Sequence, residues 1–352
     1  MSADTANPVA RLGWDVGGAH VKVAAFGADG RLKSVRMLPC PVWRGAEHLT
    51  AALKVLRGEF PAGVPSAVTM TAELADLWPD RPAGVIGTTM LLMQELGSSP
   101  LVLFAGPEGF VKPQEAGAHT DTIASANWYA TSAVLAHLIP SGILVDIGST
   151  TSDLIPFRDG RVGARGFSDA ERLANNELIY TGAVRTAVMA VARAAPFNGR
   201  WVPLMAEFYA AMADVHRLTG ELPEKADLHP TADNGPKTID ASARRLLRMV
   251  GQDLTREGEA KAIALARHFA EAQLHQLDRA LDCVISGLDH GPELIVGAGV
   301  GRFIARKLAE RRGVSFLDLA DVLTDDPALS SDAADCAPAV AVGLLSAALS
   351  SR

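Results

Sequence analysis

Two stretches of this chain carry one residue pattern: Asp15-Val-Gly-Gly-Ala-His-Val-Lys22 and Asp146-Ile-Gly-Ser-Thr-Thr-Ser-Asp153. They align without a gap, Asp15 with Asp146 through Phe26 with Phe157, and each is soon followed by Asp-Gly-Arg. A glycine after a strand-end aspartate lets the backbone approach a ligand closely, and N–H groups in such a turn form an anion-binding nest. Gly17, Gly18 and Gly148 supply that freedom, Ser149, Thr150 and Thr151 add hydroxyls, and Lys22 can reach a phosphate as a point charge. Asp15 and Asp146 are carboxylates of the kind that hold a hydrated Mg2+. Two such turns facing each other across a cleft would grip a polyphosphate from both sides. The bland alternative, a tight hairpin without a ligand, is weaker for the pair than for either turn alone.

A third glycine cluster, Val296-Gly-Ala-Gly-Val-Gly301, lies between an expected strand and an expected helix. Gly297 and Gly299 there can expose backbone amides, at a helix N-terminus, to an anion or a nucleotide base. The GxGxG spacing is not a dinucleotide fingerprint, and a close strand-to-helix turn explains it equally simply. Glu73, in Met70-Thr-Ala-Glu73, follows a short strand and so falls at the usual functional end of an α/β sheet. His20 sits in the first turn and reads as exposed. The histidines at 137, 216, 229, 268, 275 and 290 show no ligand spacing, and Thr231-Ala-Asp-Asn-Gly-Pro-Lys-Thr238 reads as a polar loop, either a substrate cover or plain surface.

The elements that must position these residues follow from periodicity. Alternation of apolar residues predicts a hairpin around each Gly turn, with Asp15 and Asp146 ending the first strand of each. Helices are expected at 46–59 and 88–96, alternating with strands at 66–70 and 100–104, which argues for an α/β architecture. A helix from Ser125 carries the chain into the second half. The periodicity over 169–195 and 200–218 predicts helices and no strands, so an all-helical insertion is expected at about 196–255. A helix at 256–286, a strand at 293–296, a helix at 302–311, a strand at 314–317 and an apolar helix from Ala337 complete the second half. The domains so defined are 9–124 and 125–352.

Composition narrows the partners. With 352 residues, 48% hydrophobic and 21% charged, the chain has material for two ordinary domains. A net charge of −7 without basic stripes argues against nucleic acid, because phosphate backbones recruit lysine and arginine. The N-terminal residues lack a charged region followed by an apolar run, and the apolar stretch near the C-terminus is too short to span a bilayer, so a cytoplasmic location without membrane contact is expected. Cys40, Cys283 and Cys336 have neither disulfide nor zinc spacing.

The two Asp-Gly hairpins and the late glycine-rich turn resemble the phosphate-1, phosphate-2 and adenosine motifs of the superfamily of actin, the sugar kinases and the hsp70 chaperones. That resemblance implies two ribonuclease-H-like halves with a central cleft. Met70–Asp76, Ser125–Thr131, Val145–Pro156, Glu177–Thr186 and Thr231–Thr238 resemble, more narrowly, hydantoinase/oxoprolinase-type proteins linked to tetrahydromethanopterin-dependent one-carbon metabolism. The likeness runs from about Leu12 to Leu345.

The resemblance implies a methanofuran or methylofuran biosynthetic transferase. It would join an aminomethyl-furan-methanol diphosphate to the phenol oxygen of a tyrosine- or tyramine-type acceptor and release diphosphate. In that reading Mg2+ on Asp15 and Asp146 neutralises the leaving group, ATP is possible but not required, and the base is Asp15, Glu73 or Asp153. The alternatives are an ATP-dependent kinase or ring-opening hydrolase, and a non-catalytic nucleotide-sensing module. The expected partners are the furan diphosphate and a phenolic amine or amino acid; the oligomeric state is not legible in the sequence.

Overall fold

The computed structural model describes residues 8–349 except 98 and 257. Strands β1 (Val9–Val16) and β2 (His20–Gly27) form the first hairpin, with Trp14 opposite Val23 and Asp15 opposite Lys22. β3 (Leu32–Pro39) continues it outward. Helix α1 (Ala46–Gly58) lays Leu49, Leu53 and Leu56 on the sheet, and β4 (Ser66–Met70) then runs parallel to β1. Helix α2 (Arg81–Leu96) starts where Asp80 accepts the Ala83 N–H at 2.8 Å, with Pro82 in its first turn. β5 (Leu101–Phe104) lies parallel to β4, and β6 (Phe110–Val111) closes the edge antiparallel. Short α3 (Thr120–Ile123) leads to α4 (Asn127–Leu138). The strand order is β3-β2-β1-β4-β5-β6. Leu12, Trp14, Val16, Val21 and Val23 on one face, and Ala24 and Phe26 on the other, are wholly buried, as expected of central strands covered on both faces.

The second half repeats the plan. β7 (Ser141–Ile147) and β8 (Ser152–Arg158) flank the second Gly turn, and β9 (Arg161–Val162) pairs with β8. After α5 (Asp169–Ala174), β10 (Leu178–Ile179) joins β8 at Ser152 and Asp153. An insertion follows: α6 (Val188–Val191), the two-stranded β11 (Ala194–Phe197) and β12 (Arg200–Pro203), α7 (Met212–Leu218) and α8 (Ile239–Arg248). Helix α9 (Gly258–Ser286), roughly 43 Å long at 1.5 Å per residue, buries Leu265 and Phe269 with the insertion and Leu277 and Leu281 against the sheet. β13 (Leu294–Ala298) then pairs parallel to β7, Ala298 opposite Asp146, and is followed by α10 (Arg302–Arg312) and β14 (Ser315–Asp318). The order β10-β8-β7-β13-β14 matches β3-β2-β1-β4-β5 strand for strand. The chain thus has two ribonuclease-H-like α/β halves of the actin, hsp70 and sugar-kinase type.

Two expectations are corrected. The insertion is not all-helical: Asn198 (φ +49°) and Gly199 (φ +74°) form the turn of the β11–β12 hairpin, and Asn-Gly with both residues left-handed is a strong hairpin signal. The segment expected to be helix over 169–195 is helical only in α5 and α6, because Glu177–Thr186 wraps the second Gly turn instead. The chain also falls into two compact units. One holds the chain up to Ser141, Pro156–Glu171 and the chain from Asp318; the other holds Gly142–Ile155 and Arg172–Leu317.

The C-terminal return has a packing cause. After α11 (Ala320–Leu323) and α12 (Pro327–Asp335), helix α13 (Ala337–Leu345) packs on β1 and α4. A Cβ on Gly13 would overlap the Ala339 carbonyl, and one on Gly343 would overlap the Phe26 ring. Both glycines are therefore needed for this strand–helix approach, and Arg11 Nε locks it by donating to Gly343 O at 2.8 Å. Among the described residues no single helix is long and apolar enough to cross a membrane.

Candidate active site

The two Gly turns are closed by the same hydrogen bond. Gly17 N–H donates to His20 O, and Gly148 N–H donates to Thr151 O, each at 2.9 Å. The N–H groups of Gly18 and Ala19 in one turn, and of Ser149, Thr150 and Thr151 in the other, donate to no acceptor among the described residues. Backbone donors left open together are what an anion-binding turn requires.

Around the first turn, Asp15 is 3% exposed. Its Oδ2 accepts from Lys22 Nζ at 3.0 Å, while its buried Oδ1 has no partner among the described residues. Lys22, expected to reach a phosphate, is thus engaged with the carboxylate opposite it in the ladder. His20 is the first residue of β2 and is buried, not an exposed turn residue. Thr71 N–H donates to Val16 O at 2.9 Å, which brings the end of β4 beside the Gly17 turn.

That junction carries Glu73, in a 3-10 turn (Ala72–Leu74), 2% exposed. Its Oε1 accepts from Ser125 Oγ at 2.9 Å and its Oε2 has no partner among the described residues. Ser125 stands at φ +53°, a left-handed conformation unfavourable for a residue with a Cβ, and follows Ala124, which bridges Met70. Helix α2 closes on the turn at Gly84, where a Cβ would lie 2.5 Å from Glu73 O. Burial pushes the Glu73 carboxyl up to about 7; the Asp169 charge adds to the rise, and hydrogen bonds from its own backbone and Ser125 oppose it. Asp169 is held by Arg81 Nη2 at 2.6 Å.

Asp153, on β8, stands where Lys22 stands in the first hairpin and is ion-paired with the buried Arg172. Asp146 is half-buried at the end of β7. The third glycine cluster rides on it: a Cβ on Gly299 (φ +74°) would lie 2.5 Å from Asp146 Oδ1, and one on Gly297 would lie 2.6 Å from the Phe316 ring. Gly301 N–H donates to Ile147 O at 2.8 Å. Close packing therefore accounts for the spacing of these glycines.

Residue-by-residue reading of the sequence missed the cover of the second turn. Ala183 N–H donates to Gly148 O at 2.9 Å and Arg185 N–H to Ser149 O at 2.7 Å, laying residues 181–186 across the turn. A Cβ on Gly182 would lie 2.5 Å from Thr150 N. The signal was present in the phrase Tyr180-Thr-Gly-Ala-Val-Arg-Thr186, whose glycine and arginine have no role in a helix there. The loop 222–238, by contrast, is tied down: Arg245, 1% exposed, donates to Asp214 Oδ1 at 2.7 Å and Asp233 Oδ1 at 3.1 Å, and Lys237 Nζ donates to Asp227 O at 2.7 Å. Among the described residues no cluster of three or more His, Cys, Asp or Glu could hold a metal.

Fold and turns define the class, a duplicated ribonuclease-H-like protein with paired Asp-Gly turns. A model of the hydantoinase/oxoprolinase family matches residues 65–322, and the chain belongs to that family. Among curated proteins it is similar to the (4-{4-[2-(gamma-L-glutamylamino)ethyl]phenoxymethyl}furan-2-yl)methanamine synthase of Methanocaldococcus jannaschii, 29% identical over 289 residues, 82% of this chain and 86% of the relative. The synthase of the same name from Methanococcus vannielii is 32% identical over 124 residues, 35% of this chain and 55% of the relative. Among solved structures, nucleotide-free acetone carboxylase, from work on ATP-dependent acetone carboxylation, covers 97% of this chain at TM-score 0.57 and 11% identity, with 70% of that chain matched; it shows the fold. The protein is an enzyme.

Proposed function

We propose that this enzyme joins an aminomethyl-furan-methanol diphosphate to the phenol oxygen of a tyrosine- or tyramine-type acceptor and releases diphosphate, as a step of methanofuran or methylofuran biosynthesis. The name of the M. jannaschii relative describes the coupled product of such a reaction. The observation that carries the reading is the pair of equivalent turns with open N–H groups, each preceded by a carboxylate. The phenol oxygen bonds to the furan methylene as the methylene–oxygen bond to diphosphate breaks, and the bonding pair leaves with the diphosphate. Open amides at the turns stabilise the charge that develops there.

The phenol proton goes to Glu73. A phenol near ~10 needs a base poised near the working pH, and of the three candidates Glu73 has a buried, unpartnered oxygen and a raised proton affinity. Asp15 is ion-paired with Lys22, and Asp153 with Arg172. Asp15, through its open Oδ1, and Asp146, half-buried at the equivalent strand end, are each a carboxylate of the kind that would ligate a hydrated Mg2+. When bound, the ion neutralises the departing diphosphate as a Lewis acid. Supplying the furan diphosphate with tyrosine, tyramine or their γ-glutamyl forms and Mg2+ should yield diphosphate and the aryl ether; no product with any acceptor refutes the proposal.

One observation favours a second reading, ATP use by a kinase or oxoprolinase-like hydrolase. Helix α10, after the third glycine cluster, lines a cavity of about 260 Å3 with α7 and α9, walled by Phe303, His216, Arg267, Glu271 and by Lys307, which is ion-paired with Glu221. Substrate-stimulated ADP release would select that reading over the first.

A further inference from the structure

The second Gly turn offers hydroxyls and open amides, but the position that is lysine in the first hairpin is Asp153 here, so its own strands bring no cation. The covering loop brings one. Arg185 Nη1 lies 3.3 Å from Thr150 Oγ1, at the tip of the turn. We propose that Arg185, with the Thr150 hydroxyl and the N–H groups of Ser149, Thr150 and Thr151, forms an anion site for a diphosphate group, Arg185 being its cation. In assigning the anion as the leaving group, this rests on the function proposed above.

The loop is built to hold that guanidinium still. Its backbone bonds to Gly148 and Ser149 set its register on the turn, and Gly182 permits the close approach. Thr186 Oγ1 accepts from Gly182 N–H at 2.8 Å, and Ser152 Oγ donates to Thr181 O at 2.6 Å. Gln273 bolts the loop from behind: its Nε2 donates to Thr181 Oγ1 and Gly182 O, both at 2.9 Å. With both amide hydrogens so used, Gln273 Oε1 accepts from His216 Nε2 at 2.9 Å, so His216 carries its proton on Nε2. Burial, which pushes the His216 imidazole down to about 4, keeps it neutral and the relay unaltered at physiological pH.

The chemistry suits a diphosphate. Arginine offers a planar fork that binds phosphate oxygens in pairs, and its charge survives burial. Burial lowers the Arg185 guanidinium from its ordinary value, a sign of partial desolvation, and a permanent cation with less water around it attracts an incoming anion more strongly.

The test is calorimetric titration of the full-length protein with inorganic diphosphate, using wild type, Arg185→Met, Arg185→Lys and Glu73→Gln. Arg185→Met should weaken diphosphate binding by roughly 10- to 100-fold, the worth of a charge-assisted pair. Arg185→Lys, which keeps the charge and loses the fork, should fall between, and Glu73→Gln should bind like wild type. If Arg185→Met does not fold, the lysine variant decides. Unchanged binding by a folded Arg185 variant overturns the assignment, even if the enzyme makes the ether. Arg185-dependent diphosphate binding in a protein that couples no phenol leaves the anion site standing and sinks the synthase reading.

Discussion

Glu73→Gln tests the central claim about the site through stability as well as activity. The side chain keeps its shape and its acceptor for Ser125 Oγ, but loses the charge that burial disfavours. The Glu73 carboxyl moves from its ordinary 4.5 to about 7 in the folded protein. Below 4.5 folded and unfolded chains both hold the proton and the residue costs nothing. Between 4.5 and 7 the folded chain retains a proton that the unfolded chain has released, so stability falls as pH rises. Above 7 the penalty is complete, roughly 3 kcal/mol at about 1.4 kcal/mol per pKa unit. Glutamine escapes it. Thermal midpoints measured from pH 4.5 to 8.5 should therefore start level and diverge, with the variant the more stable at high pH by a margin of that order. The same variant should lose roughly 100- to 10,000-fold in coupling rate, the usual worth of a general base. Wild-type kcat/KM should rise with pH and level off above about 7. A glutamine variant less stable than wild type at pH 8, or a stability difference that does not change with pH, would refute the assignment of Glu73 as a buried, proton-poised carboxylate.

Other outcomes follow from single contacts. Asp146→Asn should remove Mg2+-dependent coupling while leaving the circular dichroism spectrum unchanged; full activity would overturn the metal proposal. Gly182→Ala puts a Cβ 2.5 Å from Thr150 N and against the Ser149 backbone, so diphosphate titration should show loss of affinity and the thermal midpoint should fall as well. Gly13→Ala forces β1 away from α13 and should cost about 1–3 kcal/mol in chemical denaturation, the usual range for overpacking a core.

Much of the fold was legible because it is local. An apolar strand, an aspartate, a glycine turn and a second strand specify a hairpin in a few residues, and the register that sets Asp15 opposite Lys22 follows from the pleat. The strand Ser66–Met70 and the start of α1 were legible for the same reason. The insertion was misread because alanine-rich residues 187–195 favour helix on their own, whereas Asn198 and Gly199 turn the chain back and pairing with β12 overrides that preference.

By itself the sequence determined the duplication, the carboxylate before each glycine turn and the family. Only the tertiary structure decided which charges meet. Lysine or arginine can be assigned to a carboxylate only when chain segments far apart in sequence are packed, and Asp153 found Arg172 while Arg185 reached Thr150. Nor could the sequence raise the proton affinity of Glu73. That comes from burial under α2 and from Asp169, 96 positions away and held by Arg81, since desolvation and Coulomb energy depend on distance in space rather than along the chain.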